Sequence, residues 1–418
     1  MWPVLLAVSL LATGVGFASA PVAVAPSHLP HPSITIVGDA AFDGPFSGVV
    51  DGVGTADDPY VIRGWEIVHT AQAGIRLEGT TAHVVIEDVV IRDLTGRVAA
   101  APGCATRPGP ECREPIGIHL AQAENVVVRD VRVTDHRFNV FVESSRGIAI
   151  EDTDFTPPVP DLLLTYLGVY VLRSEDVRIS NVVFAGSESG LAVRASANVL
   201  VEGSTFRRTP LDSLFFGEAS RAVTLKENRF ADATVLVDGD HEAFSLVDNL
   251  FVGASSAFRA SEEIEFPTRL PSALVCGNTF EGSRHPEAAL WLAKSQDVHI
   301  VGNLFSNVTR GLRLDLGDRG LVEKNRFEDA GTAASIFNAG GWAFHNNSIV
   351  RSATGLVAEA GLPGNATRNW WGDATGPSGV GAGSGAALES TGFVPYDPWL
   401  VEEPKLKTKC PKLKPVRH

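Results

Sequence analysis

A motif of eight residues recurs along most of the chain, at a spacing of roughly 22 residues in its later part. Each copy alternates apolar and polar residues, and the later copies carry an Asn two positions before a final Phe or Ile. The eleven copies are VVIEDVVI (84–91), VVVRDVRV (126–133), IAIEDTDF (148–155), VRISNVVF (177–184), VLVEGSTF (199–206), VTLKENRF (223–230), FSLVDNLF (244–251), ALVCGNTF (273–280), VHIVGNLF (298–305), GLVEKNRF (320–327) and WAFHNNSI (342–349). Such self-similarity predicts a solenoid that stacks one structural unit per repeat.

A second short apolar segment precedes the motif in each repeat, as in GIRL (74–77), GVYV (168–171) and GLRL (311–314). Both segments alternate with period 2, and helical periodicity is scarce. Leucine-rich repeats share the V-x-I-x-x-N-x-F spacing, but they complete each unit with a helix or a Leu-rich segment. We therefore predict an all-β fold, a right-handed parallel β-helix (solenoid) of about 12 coils, three short strands per coil, with N- and C-terminal caps.

Stacked coils place equivalent residues directly above one another, so like residues are expected to form ladders. An Asn tolerates the backbone of a tight turn, and its amide can bond to the next coil. The predicted amide ladder contains Asn228, Asn249, Asn278, Asn303, Asn325 and Asn347, extended by Asn369. The predicted internal aromatic stack contains Phe155, Phe184, Phe206, Phe230, Phe251, Phe280, Phe305 and Phe327. We assign a structural role to both rows.

The first residues predict export. Residues 1–20 hold a short apolar run that ends in Ala18-Ser19-Ala20, the pattern of a cleaved signal peptide, although no Lys or Arg precedes the run. Retention as an N-terminal anchor is the alternative. We expect no later membrane span and a secreted, periplasmic or cell-surface protein. The predicted divisions are 1–20 signal peptide, 21–33 flexible segment, 34–73 N-terminal cap, 74–364 β-helix, 365–400 C-terminal cap and 401–418 basic disordered tail.

The charge of the chain is uneven. The formal charge is −14, yet residues 401–418 hold six of the 35 basic residues and two of the 49 acidic ones. The remainder has 29 basic against 47 acidic residues, a charge near −18, which disfavours nucleic acid as a partner. The tail is expected to be solvated, with contact to an anionic envelope component as the alternative.

Four cysteines fit an oxidising compartment. Cys104 and Cys112 bracket a Pro/Gly-rich segment and are predicted to form a disulfide. Cys276 lies within a repeat and is expected to pack as a small apolar residue, while Cys410 in the tail has no obvious partner.

Both ends of the repeat array carry Gly-, Pro- and Trp-rich segments that interrupt the repeat. They read GVGTADDPYVIRGWEI (52–67) before the first coil, and NWWGDATGPSG (369–379) and PYDPWL (395–400) after the last. With the coils between them, these segments resemble secreted right-handed parallel β-helix proteins of the NosD-like group, in the pectate-lyase-like superfamily of carbohydrate-binding proteins and sugar hydrolases. The resemblance covers roughly residues 34–400. It implies a fold but no single activity, because the superfamily includes lyases, hydrolases, epimerases, adhesins and accessory proteins.

The first strand of each coil is the predicted binding face. The longest insertions, 92–116, 156–167 and 261–272, flank this strand, and loops on a rigid scaffold commonly carry function. Alternation directs the third residue of each G-h-x-h segment outward. Exposed aromatic rings beside charged groups suit a polysaccharide or cell-envelope glycan. The predicted groove residues are Arg76, Phe141, Arg194, Phe215, Arg259, Trp291, Arg313 and Asp315.

Two alternatives stay open for this face. In the first, the aromatic residues lie beneath the inserted loops and the charged pairs are structural. In the second, the protein is a polysaccharide lyase or hydrolase in which His119, Tyr170, Arg173 and Glu143 supply the base, the acid and the neutralising cation. The motifs of polygalacturonases, pectate lyases and alginate epimerases are absent from the sequence, and a hydrolase would need a paired acid and base.

Metal binding is the least supported function. A NosD-like accessory role in metal-enzyme maturation would favour Met and Cys ligands for copper, but the one Met is Met1. Scattered histidines such as His28 and His31 would have to substitute. The segment DGDHE places Asp238, Asp240 and Glu242 close together, which offers Ca²⁺ as a weak cofactor candidate beside a solvated acidic turn.

Overall fold

The structure is a computed structural model that describes residues 28–69, 72–93, 115–156, 167–187, 189–207, 212–217, 219–255, 257–260, 270–315, 317–359, 364–406 and 409–411. The predicted signal peptide and the predicted Cys104–Cys112 pair lie outside these residues, as do most of the three long insertions. Among the described residues, no helix is long and apolar enough to span a membrane.

The chain winds through three long sheets, which we call sheets 1, 2 and 3 in the order in which each coil visits them. Sheet 1 contains, in spatial order, Ile34–Val37, Ala73–Glu78, Ile116–Ala121, Phe138–Glu143, Leu167–Leu172, Ser189–Arg194, Asp212–Gly217, Thr234–Val237, Ala257–Ala260, Leu290–Ala293, Arg310–Asp315, Thr332–Phe337, Thr354–Ala358, Gly385–Ser390 and Pro377–Gly379. Sheet 2 contains Leu29–His31, Trp65–His69, Val84–Asp93, Glu124–Thr134, Arg146–Glu151, Glu175–Ser180, Ala197–Glu202, Arg221–Lys226, Ser245–Val247, Leu274–Cys276, His299–Val301, Leu321–Glu323 and Ala343–His345. Sheet 3 contains Val183–Ala185, Thr205–Arg207, Arg229–Ala231, Leu250–Val252, Thr279–Glu281, Leu304–Ser306, Arg326–Glu328 and Ser348–Val350.

Two further strands join sheet 2 beside its main row, and two short ones form a separate pair. Tyr60–Arg63 pairs in parallel with Val84–Asp93, and Val49–Asp51 pairs with Tyr60–Arg63 as an antiparallel strand. Leu270–Pro271 pairs with Ser295–Gln296, and the one helix of the described residues is the 3-10 turn Asp39–Asp43.

Neighbouring strands of all three sheets are parallel and in register, because each strand pairs with its equivalent in the next coil. Leu191 faces Leu214 in sheet 1, for example, and Phe305 faces Phe327 in sheet 3. Sheet 1 has twelve strands from Ala73–Glu78 to Thr354–Ala358. The predicted parallel β-helix and its number of coils are confirmed, and strands rather than helices complete each coil.

The amide ladder is continuous from Asn228 to Asn369. The Nδ2 atom of each Asn donates to Oδ1 of the next one at 2.9–3.1 Å. The backbone N–H of each Asn donates to that same oxygen, and each Nδ2 also donates to a carbonyl of the previous coil, as Asn303 does to Val275 O at 2.9 Å. Every polar group of this buried turn therefore has a partner, which is the condition for burying it.

The aromatic stack lies inside sheet 3. From Phe184 to Phe327 the ring centroids of successive coils are 4.6–4.9 Å apart, close to the spacing of paired strands. Phe155 joins the stack at 5.8 Å with a tilted ring, and all of these rings are buried. The predicted stack is confirmed.

The Gly that opens many sheet 1 strands lies at a tight corner against this stack. A Cβ atom on Gly190 would lie 2.7 Å from the carbonyl oxygen of Ser213 and 2.9 Å from Cβ of Phe184. Gly168 and Gly311 face equally close carbonyl oxygens, at 2.5 and 2.6 Å. The G-h-x-h pattern thus follows from the close approach of two coils.

Large side chains close both ends of the core. Phe42, on the 3-10 turn, stacks on Tyr60 with centroids 4.4 Å apart. At the other end Trp371 is fully buried, and a Cβ on Gly355 would lie 2.8 Å from its ring. Sheet 1 already begins at Ile34, inside the segment predicted as the N-terminal cap.

The tail is attached to the outside of sheet 2, which the sequence analysis did not predict. Cys276 and Cys410 form a disulfide with a Cα–Cα distance of 5.7 Å. The expectations that Cys276 is only an apolar filler and that Cys410 lacks a partner are wrong. These cysteines are 134 positions apart and meet only because the chain after the last coil runs back along the solenoid.

Candidate functional site

The outward residues of sheet 1 form one row whose register is given by strand pairing. From Arg76 the row reads Arg76, His119, Phe141, Tyr170, Ala192, Phe215, Leu236, Arg259, Trp291, Arg313, Ser335 and Val357. Alternation in the sequence predicts the same outward residues except at one position, where it directs Ile336 outward. Ser335, and not the buried Ile336, pairs with Arg313 in this row.

The N-terminal half of the row is a packed apolar cluster and not an open groove. Phe141 stacks between His119 at 5.0 Å and Tyr170 at 5.1 Å, and Phe138 and Leu167 pack against them. Phe141 is 8% and Tyr170 4% exposed. These rings are therefore buried, and most of the inserted loops that the alternative places above them lie outside the described residues.

Three of the four residues considered for catalysis lie together, and the fourth, Tyr170, lies apart from His119. Glu143 lies 3.7 Å from Nε2 of His119 and accepts a hydrogen bond from Nη2 of Arg173 at 2.7 Å. The ring of Phe141 separates Tyr170 from His119. Burial lowers the pKa of His119, so its imidazole is neutral near neutral pH. Glu143 thus joins His119 and Arg173 into one group on sheet 1.

Three further predicted groove residues make contacts with their neighbours. Arg76 donates from Nε and Nη2 to Glu78 at 3.1 and 2.8 Å. The guanidinium of Arg194 lies 5.0 Å from the ring centroid of Phe215, a cation–π contact. The predicted groove residues near the N-terminus thus form separate pairs along the row.

The C-terminal part of the row assembles four predicted residues into one cluster. The guanidinium of Arg313 lies 4.7 Å from the centroid of Trp291, and that of Arg259 lies 5.3 Å from the same ring. Asp315 Oδ2 accepts from Nε1 of Trp291 at 2.8 Å and pairs with Nε of Arg313 at 2.7 Å. Glu287 forms a second ion pair with Arg313. Trp291 is 7% exposed, so it supports the cluster from below.

A cavity of about 450 Å³ opens beside this cluster, and we call it the sheet 1 cavity. Its lining residues are Arg310, Arg313, Asp315, Phe337, Asn338 and Glu359. The prediction of binding residues omitted Arg310 and Phe337. Phe337 pairs with Asp315 in sheet 1 and so lies at the cavity. The sequence did not predict this, because the small residues Ala333–Ser335 do not show which residues of that strand face outward.

Two residues that line the sheet 1 cavity each have a buried side-chain atom for which the described residues supply no hydrogen-bond partner. They are Asp315 Oδ1 and Arg310 Nε, and the buried Nε of Arg313 is paired ionically with Asp315. Arg310 is otherwise held by its Nη1, which donates to the carbonyl of Glu287 at 3.0 Å. The groups that a polar ligand can reach are the exposed side chains of Asn338 and Glu359, beside the half-buried ring of Phe337.

The acidic segment proposed for Ca²⁺ is divided between the interior and the surface. Asp238 is 2% exposed, whereas Asp240 and Glu242 are exposed. Across the described part of the chain, no three His, Cys, Asp or Glu side chains are arranged to hold a metal ion. The structure therefore adds no support for a Ca²⁺ site here or for copper binding by the described histidines.

Comparison with known proteins supports the architecture. Residues 116–263 match a family described as a right handed beta helix region. No curated protein sequence matches the chain at a significant level. Pre-mature gene product 12 of bacteriophage phi29 is structurally similar with a TM-score of 0.55 and 11% identity, over 80% of this chain and 52% of the phage chain. The chain thus spans about half the length of the phage protein.

Two other solved structures align at lower TM-scores. The surface protein and adhesin PfbA of Streptococcus pneumoniae gives 0.42 at 14% identity, over 86% of this chain and 92% of that one. The A-module of the mannuronan C-5 epimerase AlgE6 of Azotobacter vinelandii gives 0.43 at 11% identity, over 87% and 98%. These two likenesses carry no conclusion about this chain. By its three sheets and its match to the right handed beta helix region, the chain is a right-handed parallel β-helix protein.

Proposed function

We propose that this β-helix protein binds a polysaccharide or cell-envelope glycan at the sheet 1 cavity. The observation that carries the proposal is the lining of this cavity, in which the exposed side chains of Asn338 and Glu359 lie beside the half-buried ring of Phe337. Sugar hydroxyls both donate and accept hydrogen bonds, so one sugar residue can pair with the amide and the carboxylate while its apolar face packs on the ring.

The charges around the sheet 1 cavity favour a neutral or weakly charged sugar. Arg310 and Arg313 are balanced by Asp315 and Glu359, with Glu287 paired to Arg313. The ion pairs hold Arg313 and Asp315 in place before a ligand arrives, which reduces the entropy lost on binding. This proposal narrows the predicted groove from the whole length of sheet 1 to its C-terminal coils.

An extracytoplasmic location accompanies this proposal. The Ala18-Ser19-Ala20 pattern and the Cys276–Cys410 disulfide support it, since disulfides persist mainly in oxidising compartments. Glycans of the cell envelope or surroundings are accessible there.

A glycan array probed with the mature protein tests the proposal. We expect retention on a subset of glycans and a loss of affinity of about tenfold or more in Glu359→Ala and Phe337→Ala, which remove a hydrogen-bonding group and the stacking ring. Glu281→Ala and Phe46→Ala are the matched controls, because Glu281 is exposed on sheet 3 and Phe46 is 69% exposed near the N-terminus. Absence of retention on any glycan would contradict the proposal.

The same preparations distinguish binding from catalysis. Retained glycans are incubated with the protein and assayed for unsaturated uronates and new reducing ends. We expect neither product. Product formation that disappears in His119→Ala or Tyr170→Ala would instead establish the lyase or hydrolase alternative.

A further inference from the structure

A second recess lies on the opposite part of the surface, between the attached tail and the turns that precede the amide ladder. Its volume is about 580 Å³. The lining residues are Asp248, Gly277, Gly302, Asn303, Leu304, Lys324, Arg326, Glu403, Pro404, Lys405, Leu406 and Cys410. We call it the tail cleft. It shares no lining residue with the sheet 1 cavity.

The floor of the tail cleft is created by two glycines. The residue before each ladder Asn has a positive φ, and in successive coils it is Glu227, Asp248, Gly277, Gly302, Lys324, Asn346 and Arg368. Gly277 and Gly302 carry no side chain between Asp248 and Lys324, and we call this interval the glycine gap. The carboxylate of Asp248 fills its Gly277 end, since a Cβ on Gly277 would lie 2.1 Å from Oδ1 of Asp248. The space left open is therefore the one at Gly302.

The wall of the tail cleft is the tail itself, fixed at two points. The disulfide holds Cys410 over a small apolar patch on the outside of sheet 2 that contains Leu274, Cys276 and Val301. Glu403 forms an ion pair with Arg326 and accepts a hydrogen bond from the hydroxyl of Ser348 at 2.9 Å. Residues 403–406 are thereby held opposite the glycine gap.

Cations surround the tail cleft on a body that is otherwise acidic. The side chain of Lys324 is 46% exposed at one end, and Lys405 and Lys409 are exposed on the tail. Arg326 is paired with Glu328 and Glu403, and Nζ of Lys324 lies 3.8 Å from Glu323. The positive charge available to a ligand therefore comes from Lys405 and from the exposed part of Lys324.

We propose that the tail cleft binds an acidic polysaccharide, with Lys324 and Lys405 contacting its carboxylate or sulfate groups. A recess of this size admits a sugar ring, whereas the flat surface of an anionic bilayer cannot enter it. Asp248 and Glu403 can accept hydrogen bonds from ring hydroxyls, and Pro404 and Leu406 offer apolar contact. The disulfide pre-organises the site by holding the cationic tail at the solenoid surface.

Calorimetric titration of the full mature protein with an oligogalacturonate, and with a neutral cello-oligosaccharide of equal length, tests the inference. We expect preferential binding of the acidic oligomer, weakened by salt. Lys324→Gln/Lys405→Gln should reduce that affinity on the order of tenfold, because two exposed charges are removed. Lys226→Gln, which removes an exposed cation elsewhere on sheet 2, should leave it unchanged.

Two further comparisons make the outcome decisive. Cys276→Ser/Cys410→Ser should weaken oligogalacturonate binding while circular dichroism shows an intact β-helix. Glu359→Ala should leave it unchanged, which separates this site from the sheet 1 cavity. Three results would each overturn the inference. The first is equal affinity for the two oligomers, and the second is a loss of affinity in Glu359→Ala equal to that in the lysine variant. The third is binding of anionic phospholipid vesicles without binding of the oligomer.

Discussion

At the scale of single residues, Asn303 shows how a polar side chain can be fully buried in a turn. Its Oδ1 accepts from the backbone N–H and Nδ2 of Asn278, and its own Nδ2 donates to Oδ1 of Asn325 and to the carbonyl of Val275. A buried amide is stabilising only while all of these bonds exist, since each unsatisfied group costs a desolvation penalty.

Replacement of Asn303 by Ala is therefore expected to be costly. The backbone N–H of Asn278 and the carbonyl of Val275 lose their partners, so we expect the free energy of unfolding to fall by roughly 2–4 kcal/mol. Urea denaturation followed by circular dichroism measures the change. Asn365→Ala is the control, because exposed Asn365 makes only a local bond to the N–H of Thr367 and should cost less than about 1 kcal/mol. Equal losses in the two variants would show that the ladder has no special role.

At the scale of elements, strand phase and register explain which parts of the site were predictable. The regular spacing of the repeat was enough to predict the ladders and most of the outward row, because each residue pairs with its equivalent one coil away regardless of its side chain. Alternation failed in Thr332–Phe337, where Ala333, Ala334 and Ser335 are too similar in size to reveal an inward face. The burial of Phe141 and Tyr170 could not be predicted from the sequence either. Alternation shows on which face of a sheet a side chain lies, but not whether other residues cover that face.

Gly190 lies at the corner between sheets 3 and 1, where there is no room for a side chain. A Cβ there would collide with the backbone of Ser213 and with Phe184, so we expect Gly190→Ala to lower the free energy of unfolding by about 1–3 kcal/mol through overpacking. Gly320→Ala is the matched control, since its Cβ would meet only Leu314 at 3.7 Å. Thermal denaturation of both variants measures the difference, and an unchanged Gly190→Ala protein would refute the close approach of the coils.

At the scale of the whole molecule, acid sensitivity follows from buried histidines. Burial, with His69 alongside, lowers the pKa of His136 to about 3, and burial also lowers the pKa of His119 and His241. A histidine whose folded-state pKa is depressed stabilises the fold above its unfolded pKa of 6.5, and this stability declines as the pH falls from there toward the folded-state pKa.

We expect His136 alone to cost the protein roughly 2 kcal/mol of stability between pH 7 and pH 5, because the unfolded chain takes up a proton that the folded chain excludes. Denaturation midpoints at several pH values measure this slope. His136→Gln should flatten the slope, even if it lowers stability overall, whereas Asn365→Ala, at an exposed position that carries no titrating group, should leave it unaltered. A slope unaffected by His136→Gln would contradict the assignment.

The disulfide between Cys276 and Cys410 also determines how the β-helix would respond to force. A solenoid pulled at its last residue would unfold coil by coil from that end. Here a pull on the chain after Cys410 would be delivered to the coil of Cys276, and the coils between that one and the C-terminal cap would carry none of the tension. If the tail is the point at which the protein is held in its surroundings, the C-terminal coils with the sheet 1 cavity would keep their shape under load.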